Sequence, residues 1–160
     1  MAKEFRIGHG FDVHRFGRGR KLILGGVVIA HSFGLLGHSD ADVVLHALIN
    51  ALLGAMGGGD IGMHFPDSDP RYKDISSAKL LANVLRTMRR KRFKVVNVDV
   101  TLVAQRPKLS PHYPAIKKNL AALLKVAADR VNVKATTTEK LGWAGKGRGM
   151  AGTAVVLLSR

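Results

Sequence analysis

Apolar residues crowd the chain between positions 43 and 53, where Val43, Val44, Leu45, Ala47, Leu48, Ile49, Leu52 and Leu53 wrap nearly the whole circumference of a helical projection. The pattern predicts a buried helix that starts just after Ser39 or Asp40, either of which can cap the open N–H groups of its first turn, and runs to about Gly57. Asp42, His46 and Asn50 interrupt it at four-residue spacing, which stacks them on one face. Taken alone, His46 reads as a core histidine held by a hydrogen bond to Asp42; the alternative is that something polar faces the stripe.

Elsewhere the pattern alternates. Phe5 to Phe16 reads as a strand with Ile7, His9, Phe11 and Val13 on one face and Gly8, Gly10, Asp12 and His14 on the other. Lys21 to Ala30 reads as an apolar hairpin around Gly25-Gly26. Ser76 to Lys91 is an amphipathic helix with Leu80, Leu81, Val84, Leu85 and Met88 inward, Val95 to Gln105 a strand, and Pro111 to about Val126 a further helix. Val131 to Thr138 reads as a strand ending in hydroxyls, Glu139-Lys140 as a helix start, and Ala151 to Leu158 as the last strand. The expected fold class is α/β, an α+β sandwich: a mixed β-sheet in one domain, 1–160, with helices packed on one face. A sheet covered on one side only is expected to bury its other side by oligomerising.

At 160 residues and 46% apolar, the chain can build one real core, and two domains would be cramped. It has no cysteine, so disulfides are excluded and any metal must be held by nitrogen and oxygen. No apolar run is long enough to span a bilayer and Met1–Arg6 lacks a signal-peptide pattern, so a cytoplasmic location is expected, or the plastid stroma if a transit segment has been removed. The net charge of +15 permits attraction to polyanions. Six of the nine residues from Arg86 to Lys94 are basic, yet no aromatic residues interleave them as stacking platforms and no nucleic-acid motif accompanies them. They read as the solvated C-terminal end of a helix.

The candidate chemistry begins with Asp12-x-His14, which places a carboxylate and an imidazole on one pleat, beside two glycines that would leave room for a ligand. The loop Gly57–Pro70 carries Asp60, Asp67 and Asp69, which fit either turn chemistry or a binding loop. Asp12, His14 and His46 together would make an O/N/N set, and zinc sites that do chemistry use three protein ligands and keep a fourth position open.

The order of segments is more specific than any one of them. Gly10-Phe11-Asp12-Val13-His14, His38-Ser39-Asp40-Ala41-Asp42, Gly59-Asp60-Ile61-Gly62, Phe65-Pro66-Asp67, Asn97-Val98-Asp99, Ala104-Gln105 with Pro107-Lys108, and Val131 through Gly142 follow one another as in the 2-C-methyl-D-erythritol 2,4-cyclodiphosphate synthase family, which the chain resembles from about Phe5 to Leu158. The resemblance implies conversion of 4-diphosphocytidyl-2-C-methyl-D-erythritol 2-phosphate to the cyclic diphosphate and CMP, in a homotrimer whose sheets face a threefold axis and whose sites lie between subunits. It implies that Asp12, His14 and His46 hold Zn2+ or another divalent metal and that Glu139 holds Mg2+ or Mn2+ on the substrate diphosphate. His38 and Thr137 would stabilise the transition state, and Ser39 would help place a phosphate. Asp60, Gly62, Phe65, Asp67 and Asp69 would contact the ribose and methylerythritol. Ala104, Lys108, Leu109 and Ser110, with Thr136, Thr137 and Thr138, would form the cytidine pocket, and Trp143 and Lys146 would edge the site.

The chain departs from the family's pattern in places. Asn50 stands where Asp is frequent, and Lys146 and Arg148 replace a common Arg-x-Glu. Three copies of the latter pair would concentrate positive charge near the threefold axis, where an anion such as an isoprenoid diphosphate is one occupant and solvent the other. Two rival functions stand beside the resemblance: a nucleic-acid module led by Arg86–Lys94, which explains none of Asp12, His14, His46 or Glu139, and a zinc phosphohydrolase with water as nucleophile.

Overall fold

The computed structural model describes residues 3–160. Strand β1 (Phe5–Gly17) opens the chain and is followed by the hairpin β2 (Leu22–Leu24) and β3 (Val27–Ile29), then by β4 (Gly34–Leu35). Strands β5 (Lys94–Val103), β6 (Val131–Thr136) and β7 (Gly149–Ser159) complete a mixed sheet of order β4-β1-β7-β5-β6. The β7 strand lies antiparallel to both β1 and β5, with Asp12 opposite Gly152, while β6 runs parallel to β5. Strands β1, β5 and β6 therefore point the same way, and their C-terminal ends share one end of the sheet.

Helix α1 (Val43–Ala55) crosses β1 and β7 and forms the centre of the core; Leu45, Leu48, Ile49, Leu52 and Leu53 are at most 1% exposed. Each such side chain contributes about 2 kcal/mol on burial. The glycines of β1 make this crossing possible. A Cβ at Gly8 would fall 1.8 Å from the Ala51 carbonyl oxygen, and one at Gly152 2.9 Å from that of Val43. The space predicted for a ligand beside Gly8 and Gly10 is filled instead by the backbone of α1, because a strand without side chains there lets a helix settle closer than usual.

The cap of α1 is Asp42, not Ser39 or Asp40. Its Oδ1 accepts the N–H groups of Val44 and Leu45, and its carboxylate also takes the N–H of Gly25 (2.9 Å) and Gly26 (2.6 Å) from the β2–β3 turn. Both glycines have positive φ (58° and 76°), as a two-residue hairpin turn demands. Asp42 thus locks the hairpin to the helix, and the predicted stripe does not hold as one face: Asp42 looks to the hairpin, His46 to β1. Asn50 accepts the N–H of Ile61 at 2.9 Å and so anchors the short helix α2 (Ile61–His64), which Asp60 caps.

Helix α3 (Ser77–Arg90) packs on α1, and α4 (Tyr113–Leu124) packs on β6 and β3. The strand expected through Thr138 stops at Thr136. Glu139 and Lys140 have φ of 51° and 66° and form a turn, so the expected helix start is absent; the one-turn helix α5 (Gly142–Gly145) follows. The uncovered face of the sheet displays Ile7 (74% exposed), Phe11, Val13 and Val155, with His9 bonded to Thr153 at 2.7 Å. No helix among the described residues is long and apolar enough to cross a membrane.

Candidate active site

Three side chains from β1 and α1 meet at one point. Asp12 Oδ2 lies 2.8 Å from His14 Nε2 and 3.0 Å from His46 Nδ1, and the two ring nitrogens are 3.1 Å apart. Asp12 and His14 share a pleat, and α1 delivers His46 across from them because the strand's glycines let it lie so close.

The outer nitrogens of both rings are committed. His14 Nδ1–H donates to the Leu36 carbonyl at 2.9 Å, which leaves Nε2 as a lone pair. His46 Nε2 lies 2.8 Å from Ser77 Oγ and 3.0 Å from Ser39 Oγ. The Ser77 hydroxyl donates to the Asp40 carboxylate, so towards His46 it can only accept. His46 Nδ1 is then also a lone pair. With both rings neutral, a carboxylate and two imidazole lone pairs face one another with no donor among them, so the cluster takes up a cation, either a metal ion that satisfies all three groups at once or a proton on one of the rings. Zinc with ligands at 2.0–2.1 Å sets its donor atoms about 3.3 Å apart in a tetrahedron, a few tenths wider than this triangle, so small side-chain adjustments admit the ion.

The electrostatics respond to that crowding. Burial opposes charge on Asp12, but hydrogen bonds and attraction from His14 and His46 outweigh it and hold its carboxyl well below the usual range. Burial also disfavours a charged His14, and the hydrogen bond and charge of Asp12 overcome it, raising the imidazole above its ordinary value.

The triad opens into a cleft of about 540 Å³ that His38, Ser39, Gly62, Phe65 and Asp67 also line. Asp60 and Asp69, which share that loop, act as caps: Asp60 Oδ1 accepts the Met63 N–H at 2.9 Å, and Asp69 takes the Arg71 N–H and guanidinium. Turn chemistry therefore accounts for what these two acids touch. A second cleft, of about 610 Å³, lies at the ends of β5 and β6 and is lined by Ala104 through Ser110, Thr136 and Thr137, with His31 and Tyr113. Thr138 bonds the Leu141 carbonyl, and Glu139 accepts the Thr137 hydroxyl at 3.0 Å on the exposed turn beside it. Trp143 and Lys146 are exposed around α5.

The two clefts share no lining residue. They sit at the same end of the sheet, β1 and β6 being three strand steps apart, or about 14 Å at ~4.8 Å per step. Sequence reasoning missed Ser77, Asp40, His31 and Tyr113. Asp40 read only as a candidate helix cap and Ser77 only as part of the helix from Ser76, while His31 falls just beyond the predicted hairpin and drew no reading.

The YgbB family profile matches residues 5–159. This chain belongs to the YgbB family. A curated family member from Geotalea uraniireducens, named 2-C-methyl-D-erythritol 2,4-cyclodiphosphate synthase, is 60% identical over 97% of this chain and 99% of its own. Among solved structures, a 2C-methyl-D-erythritol-2,4-cyclodiphosphate synthase in its CDP-bound form superposes with a TM-score of 0.88 at 40% identity, covering 96% of this chain and 99% of its own. The bifunctional IspDF of Campylobacter jejuni superposes with a TM-score of 0.95 at 45% identity over 99% of this chain, which spans 43% of that longer one. Asp12, His14 and His46 stand within the stretch the YgbB profile covers.

Proposed function

We propose that this chain converts 4-diphosphocytidyl-2-C-methyl-D-erythritol 2-phosphate into 2-C-methyl-D-erythritol 2,4-cyclodiphosphate and CMP, a step of the non-mevalonate isoprenoid pathway, with one domain spanning 1–160. The observation that carries the reading is the convergence of Asp12, His14 and His46 within 3.1 Å, in a chain whose curated relatives are named for this reaction. An oxygen of the 2-phosphate attacks the β-phosphorus, the bond to the α-phosphate oxygen breaks, and CMP departs with the electron pair. A phosphate monoester is largely dianionic at neutral pH, its second pKa being about 6, so the nucleophile needs no dedicated base. What the protein must do is hold repelling anions together and stabilise the transition state.

Asp12, His14 and His46 would hold zinc, and Glu139 magnesium or manganese. Divalent cations at these places supply Lewis acidity to phosphoryl oxygens and neutralise charge on the leaving group. His38 and Thr137 orient donors at the reacting phosphates, Ser39 places the 2-phosphate end, and the loop with Phe65 and Asp67 closes on the methylerythritol. The cleft from Ala104 to Thr137 takes the cytosine, where backbone groups read its edge.

In one copy these two clefts lie on different strands and share no residue, which supports a site assembled between copies. The apolar outer face of β1 and β7 supports burial against the same face of other copies, as in a homotrimer. Lys146 and Arg148, both exposed and both just before β7, would then be available to an anion near the axis. Product analysis tests the proposal: cyclic diphosphate and CMP are expected in equal amounts, whereas linear diphosphate or inorganic phosphate would identify a phosphohydrolase instead.

A further inference from the structure

We infer that Ser77 and Asp40 are positioning residues for the metal centre: the chain Asp40 carboxylate, Ser77 hydroxyl, His46 imidazole sets the tautomer of His46 and aims its Nδ1 lone pair. The inference rests on the metal reading of Asp12, His14 and His46.

Ser77 is the first residue of α3 and is fully buried. Asp40 grips it twice, accepting its backbone N–H at Oδ2 (3.0 Å) and its hydroxyl at Oδ1. With its proton committed to a carboxylate, Ser77 Oγ turns a lone pair to His46 Nε2 at 2.8 Å. Reversing the tautomer would put a lone pair of His46 against that lone pair and a proton on the nitrogen facing His14 and Asp12. The anionic end of the chain also raises the electron density of the ring, since hydrogen bonds polarise along a chain in a buried setting. Ser39 Oγ accepts the Ala41 N–H at 3.2 Å and gives His46 a second hydroxyl neighbour at 3.0 Å, but it has no carboxylate behind it.

The same contacts join the cleft wall to the helix. Asp40 N–H donates to the Ile75 carbonyl at 3.0 Å and Asp74 N–H to the His38 carbonyl at 2.7 Å, so the segment bearing His38 and Ser39 is stitched to the residues that lead into α3. The helix cap of α3 is satisfied by Ser76, whose hydroxyl takes the Ala78 N–H. The Ser77 hydroxyl is therefore free of any capping duty, and its environment has no use for a polar atom except between Asp40 and His46.

The experiment measures zinc affinity of metal-stripped protein by competition with a chelating dye, together with thermal melting of each stripped variant. Ser77→Ala is expected to weaken zinc binding by about 10- to 100-fold, the usual effect of removing the partner of a metal-ligating histidine, while melting of the stripped protein stays within a few degrees. Ser77→Thr, which restores the hydroxyl, is expected to recover most of the affinity, and Asp40→Asn, which keeps an acceptor for α3 but removes the charge, is expected to weaken it. Unchanged affinity in Ser77→Ala, or a failure of Ser77→Thr to recover it, would overturn the inference. Wild-type protein that binds no divalent ion would overturn the metal reading itself, an outcome visible before any variant is made.

Discussion

The Cβ that Gly10 lacks would sit 1.9 Å from the carbonyl oxygen of Ala47. This backbone contact between β1 and α1 lies two residues before Asp12 and one after His46, and it brings those two side chains to 3.0 Å. Gly10→Ala therefore strikes fold and site together. Neither backbone can move without unseating the core, so the variant is expected to lose about 3 kcal/mol or more, at the upper end for an overpacked site. Thermal denaturation of the metal-stripped protein checks this, and a melting temperature equal to that of the wild type would contradict it.

Removing His46 separates the metal reading from the charge reading. His46→Ala is expected to abolish stoichiometric metal binding and turnover together. Arg90→Ala, on the exposed end of α3, is expected to leave both within about twofold, as for surface substitutions generally. Metal analysis and an assay for CMP release read both variants; the opposite pattern would favour a polyanion-binding role for the basic helix end.

Proton competition gives a pH dependence with a definite sign. Metal binding needs His14 neutral, and beside Asp12 its imidazole holds a proton more tightly than a free histidine. Zinc affinity is therefore expected to begin falling at a pH above 6.5, and to drop about tenfold per unit below the raised pKa for a single displaced proton. In the stripped protein the same pair contributes oppositely: the His14 term stabilises at low pH and is lost as pH rises through its folded value, while the lowered Asp12 term is present above about pH 4. The Asp12–His14 pair thus favours the stripped fold most between roughly pH 4 and 6.5. Calorimetric zinc titrations from pH 5.5 to 8 measure the first effect; affinity independent of pH over that range would contradict it.

A site built between copies makes a quantitative demand. His46→Ala and Thr137→Ala each damage one of the two clefts, and each is expected to be nearly inactive alone. In an oligomer assembled at random from equal amounts of both, about a quarter of the interfaces pair two undamaged halves, so co-expression is expected to restore roughly a quarter of wild-type activity. No recovery in mixed oligomers of confirmed composition would place each site within one copy.

The periodic patterns made β1, β5, β6, β7 and the three long helices legible, because burial on one face leaves a mark every second or every third to fourth residue; the two-residue edge strand β4 is too short to carry such a mark. Asp12, His14 and His46 were legible as a possible ligand set by residue type, and the order of segments pointed to the family. What escaped depended on contacts between distant parts of the chain. Ser39, Asp40 and Asp42 are all competent caps, and Asp42 prevails because the Gly25-Gly26 turn adds two more N–H donors to its carboxylate. Gly8 and Gly10 announce missing side chains but not what fills the space, which proved to be helix backbone. Ser77 carries no periodic signal, since its role comes from a bond to Asp40, 37 residues earlier.

The most direct measurement adds zinc in steps to metal-stripped protein and follows CMP release from 4-diphosphocytidyl-2-C-methyl-D-erythritol 2-phosphate with magnesium held in excess. Turnover is expected to be absent at the start, to rise linearly, and to level off at about one zinc per chain, as one three-ligand site requires. Full turnover in the stripped protein, or a plateau with no relation to the occupancy of Asp12, His14 and His46, would contradict a metal-centred cyclisation.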